Sequence, residues 1–401
     1  MFWYIIIITN ILKIAIPFAE FCEVFQKNMR AVAIICEYNP FHRGHKLLLD
    51  EIHKRFPNHA VISIMSGNTV QRGDFSVFDK YFRAKTACDF GSDLVFELPF
   101  PFSSSAGEQF AAAGTYIASA LGAEYLAFGS ESGNDRMLVR HACRIASAEF
   151  AAALKNRAVS SPDKPYIEER GTLYKEMYGE TLPDTGNDIL AIEYLSKILS
   201  GGYAMQPAVI HRTENFTATE ARRSIAKNDR DGIFRLLPNA SEVLSENRNG
   251  GIYALSQFIL GSLRAYPSRD TGNGIRNALK SCAIKATDMN EFLSLLPTKN
   301  YTLARLRREL IGYLTDVSEK EKNARPEYTV LLAATSKGLE YLSENKKSFS
   351  ISILTKPADL KKCSPEAEKQ YQKSELCQRI YSLGFERNEN ISYISKPYIK
   401  K

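Results

Sequence analysis

Residues 31–52 contain the pattern that most restricts how this chain can fold. An unbroken apolar run at residues 31–36 has the length of a buried strand, and residues 46–52 carry apolar side chains at helical spacing. Pro40 and Gly44 punctuate the loop between them, which also holds two histidines three positions apart. This strand, loop and helix bring backbone N–H groups, imidazoles and a helix N-terminus together, a combination suited to binding a phosphate.

Strand runs and helical segments continue to alternate as far as about residue 228. The further strand runs are residues 60–65, 93–99, 125–129 and 208–212. Such alternation implies parallel strands joined by crossover helices, with ligands bound beyond the carboxyl ends of the strands. From about residue 229 the pattern becomes mainly helical. We therefore predict an α/β fold, with a Rossmann-like parallel-sheet domain over residues 29–228 followed by a mainly helical, basic domain over residues 229–401.

Residues 1–28 are predicted to be an extension outside this fold. They are mostly apolar, but Asn10 and Lys13 interrupt them before the length that spans a bilayer comfortably. Met29 and Arg30 lie directly before the first strand run, where a domain of this kind would normally begin. A peripheral or membrane-anchoring segment remains the alternative.

Composition adds two weaker indications. The formal charge of +7 is compatible with nucleic-acid binding but does not identify it. The seven cysteines are scattered and never form a C-x-x-C motif, which predicts reduced thiols in a cytoplasmic protein, with neither a zinc site nor disulfides.

Several polar residues follow predicted strands or open predicted helices. Gly129 follows a strand and would either let a ligand approach the backbone closely or simply make a turn. The run at residues 208–212 delivers Arg212 and Thr213 to the same sheet edge. Asn187 opens an amphipathic helix and is either its N-cap or a ligand contact.

Two more predicted helices begin with charged residues that allow both a structural and a functional interpretation. Lys80 and Arg83 could neutralise a phosphate or a carboxylate, or could lie on a solvated helix face. Thr217 and Glu220 have the spacing of a capping box, and Arg222 follows them, so the same helix start would also suit an anion.

The loop at residues 37–45 resembles the H-x-G-H element of the nucleotidyltransferase superfamily, which binds ATP phosphates during adenylyl transfer. Together with residues 65–83 and 187–191 it resembles, more narrowly, the tRNA(Met) cytidine acetate ligase family, over most of residues 29–355. The resemblance implies an enzyme that activates acetate with ATP, giving acetyl-adenylate and pyrophosphate. It would then acetylate N4 of the wobble cytidine of elongator tRNA(Met), giving N4-acetylcytidine. One departure is Leu48, where the family commonly has a third histidine.

The resemblance also implies roles for individual residues. His42 and His45 are the main catalytic candidates, and Lys80 is a second-tier one. The expected ATP contacts are Ile35, Cys36, Glu37, Tyr38, Asn39, Pro40, Phe41, His42, Arg43, Gly44, His45, Lys46, Leu47, Leu48, Gly129, Asn187, Arg212 and Thr213. Arg305, Arg307 and Arg308 match a basic segment of the family and are weaker candidates for tRNA contact, with a solvated helix face as the alternative. Mg²⁺ is expected to come with ATP, held largely by phosphate oxygens. We expect acetate and tRNA as partners, with no protein-held metal and no requirement for a membrane.

Two other functions remain open from the sequence. A small-molecule adenylyltransferase would join AMP to a phosphorylated metabolite, but such enzymes are usually compact single domains, unlike this chain with its long basic C-terminal half. A nucleotide- or RNA-binding protein without catalysis is the other alternative, and Leu48 in place of a histidine is the one hint of it.

Overall fold

The computed structural model of the protein describes residues 28–160, 166–213, 216–265, 274–299, 301–387 and 391–401. The predicted N-terminal extension, apart from Asn28, therefore lies outside the described residues. Within the described part of the chain, no helix combines the length and the apolar character needed to cross a membrane.

Strands and helices alternate in the first half of the chain. Its elements are β1 (Arg30–Cys36), α1 (Arg43–Arg55), β2 (His59–Ser66), β3 (Thr69–Val70), β4 (Asp74–Phe75), α2 (Lys80–Asp89), β5 (Leu94–Leu98), a 3₁₀ turn (Phe102–Ser104), α3 (Gly107–Ala120), β6 (Tyr125–Ser130), α4 (Asp135–Ala146), α5 (Ala148–Ser160), α6 (Tyr166–Tyr178), α7 (Gly186–Ser200) and β7 (Gln206–His211). Four runs of the predicted parallel sheet thus appear as β2, β5, β6 and β7, each within two residues of its expected start.

Helices dominate the second half until three strands appear near its end. Its elements are α8 (Ala218–Ala226), α9 (Arg230–Leu236), α10 (Ala240–Ser245), α11 (Gly251–Ala254), α12 (Ser256–Ala265), α13 (Gly274–Lys285), α14 (Met289–Leu295), α15 (Leu303–Leu314), α16 (Glu319–Lys322), β8 (Tyr328–Thr335), α17 (Ser336–Asn345), β9 (Ser352–Leu354), a 3₁₀ turn (Pro357–Lys362), α18 (Pro365–Ser382) and β10 (Tyr398–Lys400).

The main sheet has the strand order β10-β8-β5-β2-β1-β6-β7, with β9 paired to β8. Strands β5, β2, β1, β6 and β7 run parallel to one another, which confirms the predicted α/β class. Strand β8 is antiparallel to β5 and is joined by β9 and β10. The segment predicted to be mainly helical thus returns three strands to the sheet, while the domain boundary at residues 228 and 229 stays a prediction.

Both faces of the sheet are buried, as an unbroken apolar run such as β1 predicts. Successive side chains of β1 point to opposite faces, so Ala31 and Ala33 pack on the side of α3 and α7. Val32 and Ile34 pack on the side of α1 and α2. This leaves the ends of the strands as the accessible parts of the sheet.

The chain changes direction across the sheet at β1. It passes from β1 to β2 and β5 on one side, and then crosses to β6 and β7 on the other. The carboxyl ends of β1 and β6 therefore flank the switch point at which doubly wound sheets typically bind ligands.

The helical half packs against a hairpin that belongs to the first half. Phe75 of β4 shares a hydrophobic core with Ile252, Leu306, Leu310 and Tyr381. The hairpin formed by β3 and β4 is therefore held from the helical side, which bears on the site described next.

Candidate active site

The loop at residues 37–45, called here the first loop, is shaped by its own histidines. His42 is the N-cap of α1, and its Nδ1 accepts a hydrogen bond from the Gly44 N–H at 3.1 Å. In return, Nδ1 of His45 accepts one from the His42 N–H at 3.2 Å. Two imidazoles thus form the reciprocal capping box that Ser or Thr and Glu usually provide.

Both imidazoles are held neutral with their protons on the outer nitrogens. Burial, together with the charges of Arg212 and Arg222, lowers the pKa of His42 to about 4. Burial, the neighbouring His42 and the charge of Arg212 lower the pKa of His45 well below its ordinary value. Because each Nδ1 accepts a hydrogen bond, each neutral ring carries its proton on Nε2, which leaves an N–H donor for a ligand oxygen.

Aromatic packing fixes the orientation of these rings. The rings of His42 and His45 stack with centroids 3.7 Å apart. Tyr38 and Phe41 are buried and place their rings 4.8 and 5.6 Å from that of His45. The Tyr38 hydroxyl reaches Ser63 Oγ at 3.2 Å, so the support for the two imidazoles extends into β2.

Arg212 joins the first loop from the end of β7. Its side chain lies over Gly129, where an added Cβ would meet Arg212 Cγ and Cδ at 3.0 Å. The glycine therefore leaves room for this arginine to lie along the strand end. The charge of Arg212 is felt by both histidines, which brings β6, β7 and the first loop into one electrostatic site.

Asn187 also lies at this edge, although it is not the N-cap of its helix. The helix α7 begins at Gly186 with Thr185 as N-cap. The Asn187 side chain donates to the carboxylate of Glu131, which follows β6, and its backbone N–H lies 3.1 Å from the same carboxylate. The first turn of α7 is thus anchored to the end of β6, beside Gly129.

Arg222 of α8 completes the site from a third direction. Thr217 caps α8 as predicted, since its Oγ1 accepts from the Glu220 N–H at 3.1 Å. Arg222 donates through Nη1 to the Asn39 carbonyl at 2.7 Å and through Nη2 to Thr219 Oγ1 at 3.1 Å. The two predicted phosphate-binding elements therefore meet, because Asn39 belongs to the first loop.

Sequence reasoning missed Arg72, which lies at the tip of the hairpin between β3 and β4. Its Nη1 donates to Thr219 Oγ1 at 3.2 Å, and the same oxygen accepts a hydrogen bond from Arg222. Glu37 of the first loop accepts from the Gln71 N–H at 2.7 Å and so holds the tip of the hairpin. The available signal was the position of this arginine beyond β2, in the segment at residues 65–83 that resembles the acetate ligase family.

Lys80 and Arg83 lie under the site rather than on a solvated helix face, because they are 0% and 1% exposed. Lys80 Nζ lies 2.8 Å from Glu97 Oε2 and 3.7 Å from the centroid of the Tyr393 ring. Arg83 donates to the carbonyls of Glu37, at 2.6 Å, and Ser66, at 3.1 Å. Arg83 thus ties the ends of β1 and β2 together, while a catalytic role for Lys80 stays a prediction.

The three arginines of α15 have different environments. Arg307 Nη1 lies 3.7 Å from Asp74 Oδ2, and Arg308 Nη1 donates to the Gln71 carbonyl at 2.9 Å. Both hold the hairpin. Arg305 is exposed, with its guanidinium 4.9 Å from the Tyr301 ring. Contact of these arginines with tRNA stays a prediction.

Several other residues of the predicted ATP set make contacts that stabilise the protein locally. Burial raises the pKa of the Cys36 thiol, which keeps it protonated and favours packing over catalysis. Arg43 donates to the carbonyls of Phe234 and Arg235 in α9, and Lys46 pairs with Asp50. Leu48 packs against the hydrophobic core that α1 and α2 share.

The site is therefore an edge rich in positive charge. Among the described residues, no carboxylate lies within ion-pair distance of Arg72, Arg212 or Arg222, called here the arginine group. Arg212 and Arg222 act electrostatically on His42 at the start of α1, and Arg72 meets Arg222 at Thr219 Oγ1. This arrangement can bind several anionic oxygens and stabilise charge that develops on them.

Comparison with known proteins identifies the family. Residues 29–394 match the family described as HIGH Nucleotidyl Transferase. The chain is 31% identical to the tRNA(Met) cytidine acetate ligase of Fusobacterium nucleatum, over 92% of this chain and 98% of that protein. It is 29% identical to the Bacillus subtilis protein of the same name, over 89% of this chain and 93% of the relative.

Solved structures give the same result for the fold. The structure of Thermotoga maritima TmcAL bound with alpha-thio ATP superposes with a TM-score of 0.81 at 25% identity, covering 90% of this chain and 95% of that one. The apo structure of the same protein gives a TM-score of 0.83, covering 92% of this chain and 99% of that one.

Proposed function

Because the chain belongs to the tRNA(Met) cytidine acetate ligase family, within the HIGH nucleotidyl transferases, we propose how its site carries out that reaction. The chain is an ATP-dependent ligase that activates acetate and acetylates N4 of a tRNA(Met) cytidine. The observation that carries the mechanism is the convergence of two neutral imidazoles with Arg212 and Arg222 at the ends of β1 and β7.

The first step forms acetyl-adenylate. A carboxylate oxygen of acetate attacks the α-phosphorus of ATP in line, and the bond from that phosphorus to the bridging oxygen of the β-phosphate breaks. Pyrophosphate leaves with the electron pair, and no proton is transferred because acetate is already ionised. The Nε2–H groups of His42 and His45 and the guanidinium of Arg212 would stabilise the charge on the α-phosphate oxygens in the transition state.

The second step transfers the acetyl group to tRNA. The N4 amino group of the cytidine attacks the acetyl carbonyl carbon, the bond to the AMP oxygen breaks, and N4 loses a proton. We propose that the acceptor is the wobble cytidine of elongator tRNA(Met). The adenylate already supplies a good leaving group, so the step needs no protein nucleophile, which agrees with the protonated thiol of Cys36.

We propose that Mg²⁺ enters with ATP and is held by phosphate oxygens. In the ranges that the structure describes, no three His, Cys, Asp or Glu side chains are grouped so as to hold a metal ion. The donor set at this edge, imidazoles and guanidinium groups, fits phosphate oxygens rather than a cation. Since ATP and tRNA meet in the cytoplasm, we expect the chain to act there.

The test uses the purified full chain with ATP, Mg²⁺, labelled acetate and tRNA from a cell that lacks the enzyme. We expect N4-acetylcytidine in the digested nucleosides, together with acetate-dependent pyrophosphate exchange into ATP. His45→Ala removes one donor from the α-phosphate and should reduce both by about 10²-fold or more. His53→Ala is a matched control, because His53 lies in α1 but binds the Gly91 carbonyl instead.

Other outcomes would identify the alternatives. Pyrophosphate exchange that depends on a phosphorylated metabolite instead of acetate would indicate a small-molecule adenylyltransferase. Tight ATP binding with neither exchange nor acetylcytidine would indicate a nucleotide-binding protein without catalysis, and would contradict the ligase mechanism.

A further inference from the structure

We infer that Arg72, at the tip of the hairpin between β3 and β4, is a further substrate-binding residue that holds the pyrophosphate end of ATP and stabilises pyrophosphate as it leaves. The inference rests on the proposed adenylation step and adds to it a residue outside both nucleotidyltransferase motifs.

The first argument is the pairing of two like charges on one neutral acceptor. Arg72 Nη1 and Arg222 Nη2 lie 3.2 and 3.1 Å from Thr219 Oγ1, so two guanidinium groups meet at a single hydroxyl oxygen. Burial lowers the pKa of the Arg222 guanidinium, and the charge of Arg72 acts in the same direction. Two cations in this arrangement repel each other until a multiply charged anion bridges them.

Two carboxylates, those of Glu37 and Asp74, act electrostatically on Arg222, but Asp74 lies 3.7 Å from Arg307 Nη1 instead. The charge of Arg72 also acts on the pKa of Glu37, whose Oε1 accepts the Gln71 N–H at 2.7 Å. Glu37 forms no ion pair with either arginine among the described residues. The hydrogen bond from Gln71 to Glu37 fixes the residue directly before Arg72 and so holds the tip of the hairpin in position.

The position along the sheet indicates which part of ATP would reach Arg72. Gly129 and Asn187 lie on the β6 side of the first loop, whereas the hairpin follows β2 on the opposite side. Arg222 lies between, since it binds the Asn39 carbonyl of the first loop and affects His42. A nucleotide with its nucleoside near Gly129 and its α-phosphate at the histidines would extend its terminal phosphates toward Arg222 and Arg72.

The hairpin is built to hold an arginine in place. Gly73 has a φ of 72°, and a Cβ there would lie 2.4 Å from the Arg308 backbone nitrogen, so the tip packs directly on α15. Arg308 binds the Gln71 carbonyl at 2.9 Å from the same side. With both neighbours fixed, the Arg72 side chain projects from a rigid support, which lowers the entropy lost when it binds an anion.

The experiment compares two ways of supplying the acetyl group. In one, the full chain receives ATP, Mg²⁺, acetate and tRNA. In the other it receives synthetic acetyl-adenylate and tRNA, so that no pyrophosphate is ever bound. The variants are Arg72→Ala, Arg72→Lys and, as a matched control on the exposed face of α8, Arg223→Ala.

We expect Arg72→Ala to reduce the ATP-dependent rate and pyrophosphate exchange by about 10²-fold, as loss of one transition-state donor typically does. The acetyl-adenylate route should change less than about twofold, which also shows that the variant is folded. Arg72→Lys should recover part of the loss because it keeps the charge but not the two-pronged donor. Arg223→Ala should match the wild type in both routes.

Two results would overturn the inference. An equal loss in both routes would assign Arg72 to tRNA binding or to folding, and an unchanged ATP-dependent rate would remove it from the site. A wild-type enzyme that makes acetylcytidine by neither route would instead contradict the proposed function, so the two failures are distinguishable.

Discussion

Two groups of cations differ in what balances their charge. Beneath the first loop, Lys80 pairs with the Glu97 carboxylate at 2.8 Å, and Arg83 is saturated by backbone carbonyls. At the strand ends, the arginine group has hydroxyl and carbonyl acceptors but, among the described residues, no carboxylate at ion-pair distance. The first group is complete without a ligand, whereas the second is not.

The difference separates structural cations from ligand-binding cations near a nucleotide-binding loop. A buried charge that the protein itself neutralises contributes to holding strands and loops in place. A set of charges that the protein gathers and leaves unneutralised costs folding free energy through repulsion and desolvation, so it is typical of a binding site. From the sequence, Lys80 was a second-tier catalytic candidate and Arg212 an expected ATP contact, and the structure shows how different their partners are.

The largest effect on stability should come from breaking the buried ion pair between Lys80 and Glu97. Lys80→Met leaves the buried Glu97 carboxylate without its cationic partner and should lower the free energy of unfolding by about 3–5 kcal/mol. Adding Glu97→Leu removes the stranded charge and should restore most of the stability, as measured by urea unfolding.

Acetylation by the double variant then decides the role of Lys80. Restored acetylcytidine formation would make it a structural residue. A folded double variant that remains inactive would support the catalytic role predicted from the sequence. It would also contradict the assignment of Lys80 to the cations that only stabilise the fold.

The next effect concerns the positive field of the arginine group. Because burial and two arginine charges lower the pKa of His42 to about 4, the unfolded chain binds this proton more readily than the folded one. Stability should therefore fall as pH decreases from about 6.5 toward 4, by roughly 2–3 kcal/mol from His42 alone between pH 7.5 and pH 4.5.

His42→Asn isolates this contribution, because Asn keeps the N-cap acceptor but does not titrate. Unfolding free energies of both proteins at pH 7.5 and pH 4.5 give the difference. If the two proteins lost the same stability on acidification, His42 would not be held neutral by its surroundings.

The smallest effect concerns the support of the hairpin. Arg308→Ala removes the bond to the Gln71 carbonyl and should slow pyrophosphate exchange roughly tenfold, because a displacement of about 1 Å at a reacting site can cost more than that. Arg305→Ala, on the exposed face of the same helix, should instead raise the KM for tRNA roughly threefold, as expected for one exposed ionic contact. Kinetics that showed the same defect in both variants would contradict separate roles for the two arginines.

Much of the site was predictable because it depends on local sequence. The apolar run of β1 and the spacing of His42 and His45 suffice to place two imidazoles at a helix start. The Thr217 cap was likewise predictable, since a capping interaction spans only a few residues. The burial of Lys80 was not, because its partner Glu97 lies on β5 and the Tyr393 ring comes from the end of the chain.

The sequence by itself determined the α/β order, the histidine-lined first loop and the family to which the chain belongs. These follow from periodicity and short motifs, which act over a few residues. Tertiary structure alone decided that β8 returns to the sheet beside β5, that Arg72 meets Arg222 at Thr219, and that Arg307 and Arg308 hold the hairpin. Each of these contacts joins residues far apart in the chain, and electrostatic interactions depend on the distance between charges in space, which no local pattern records.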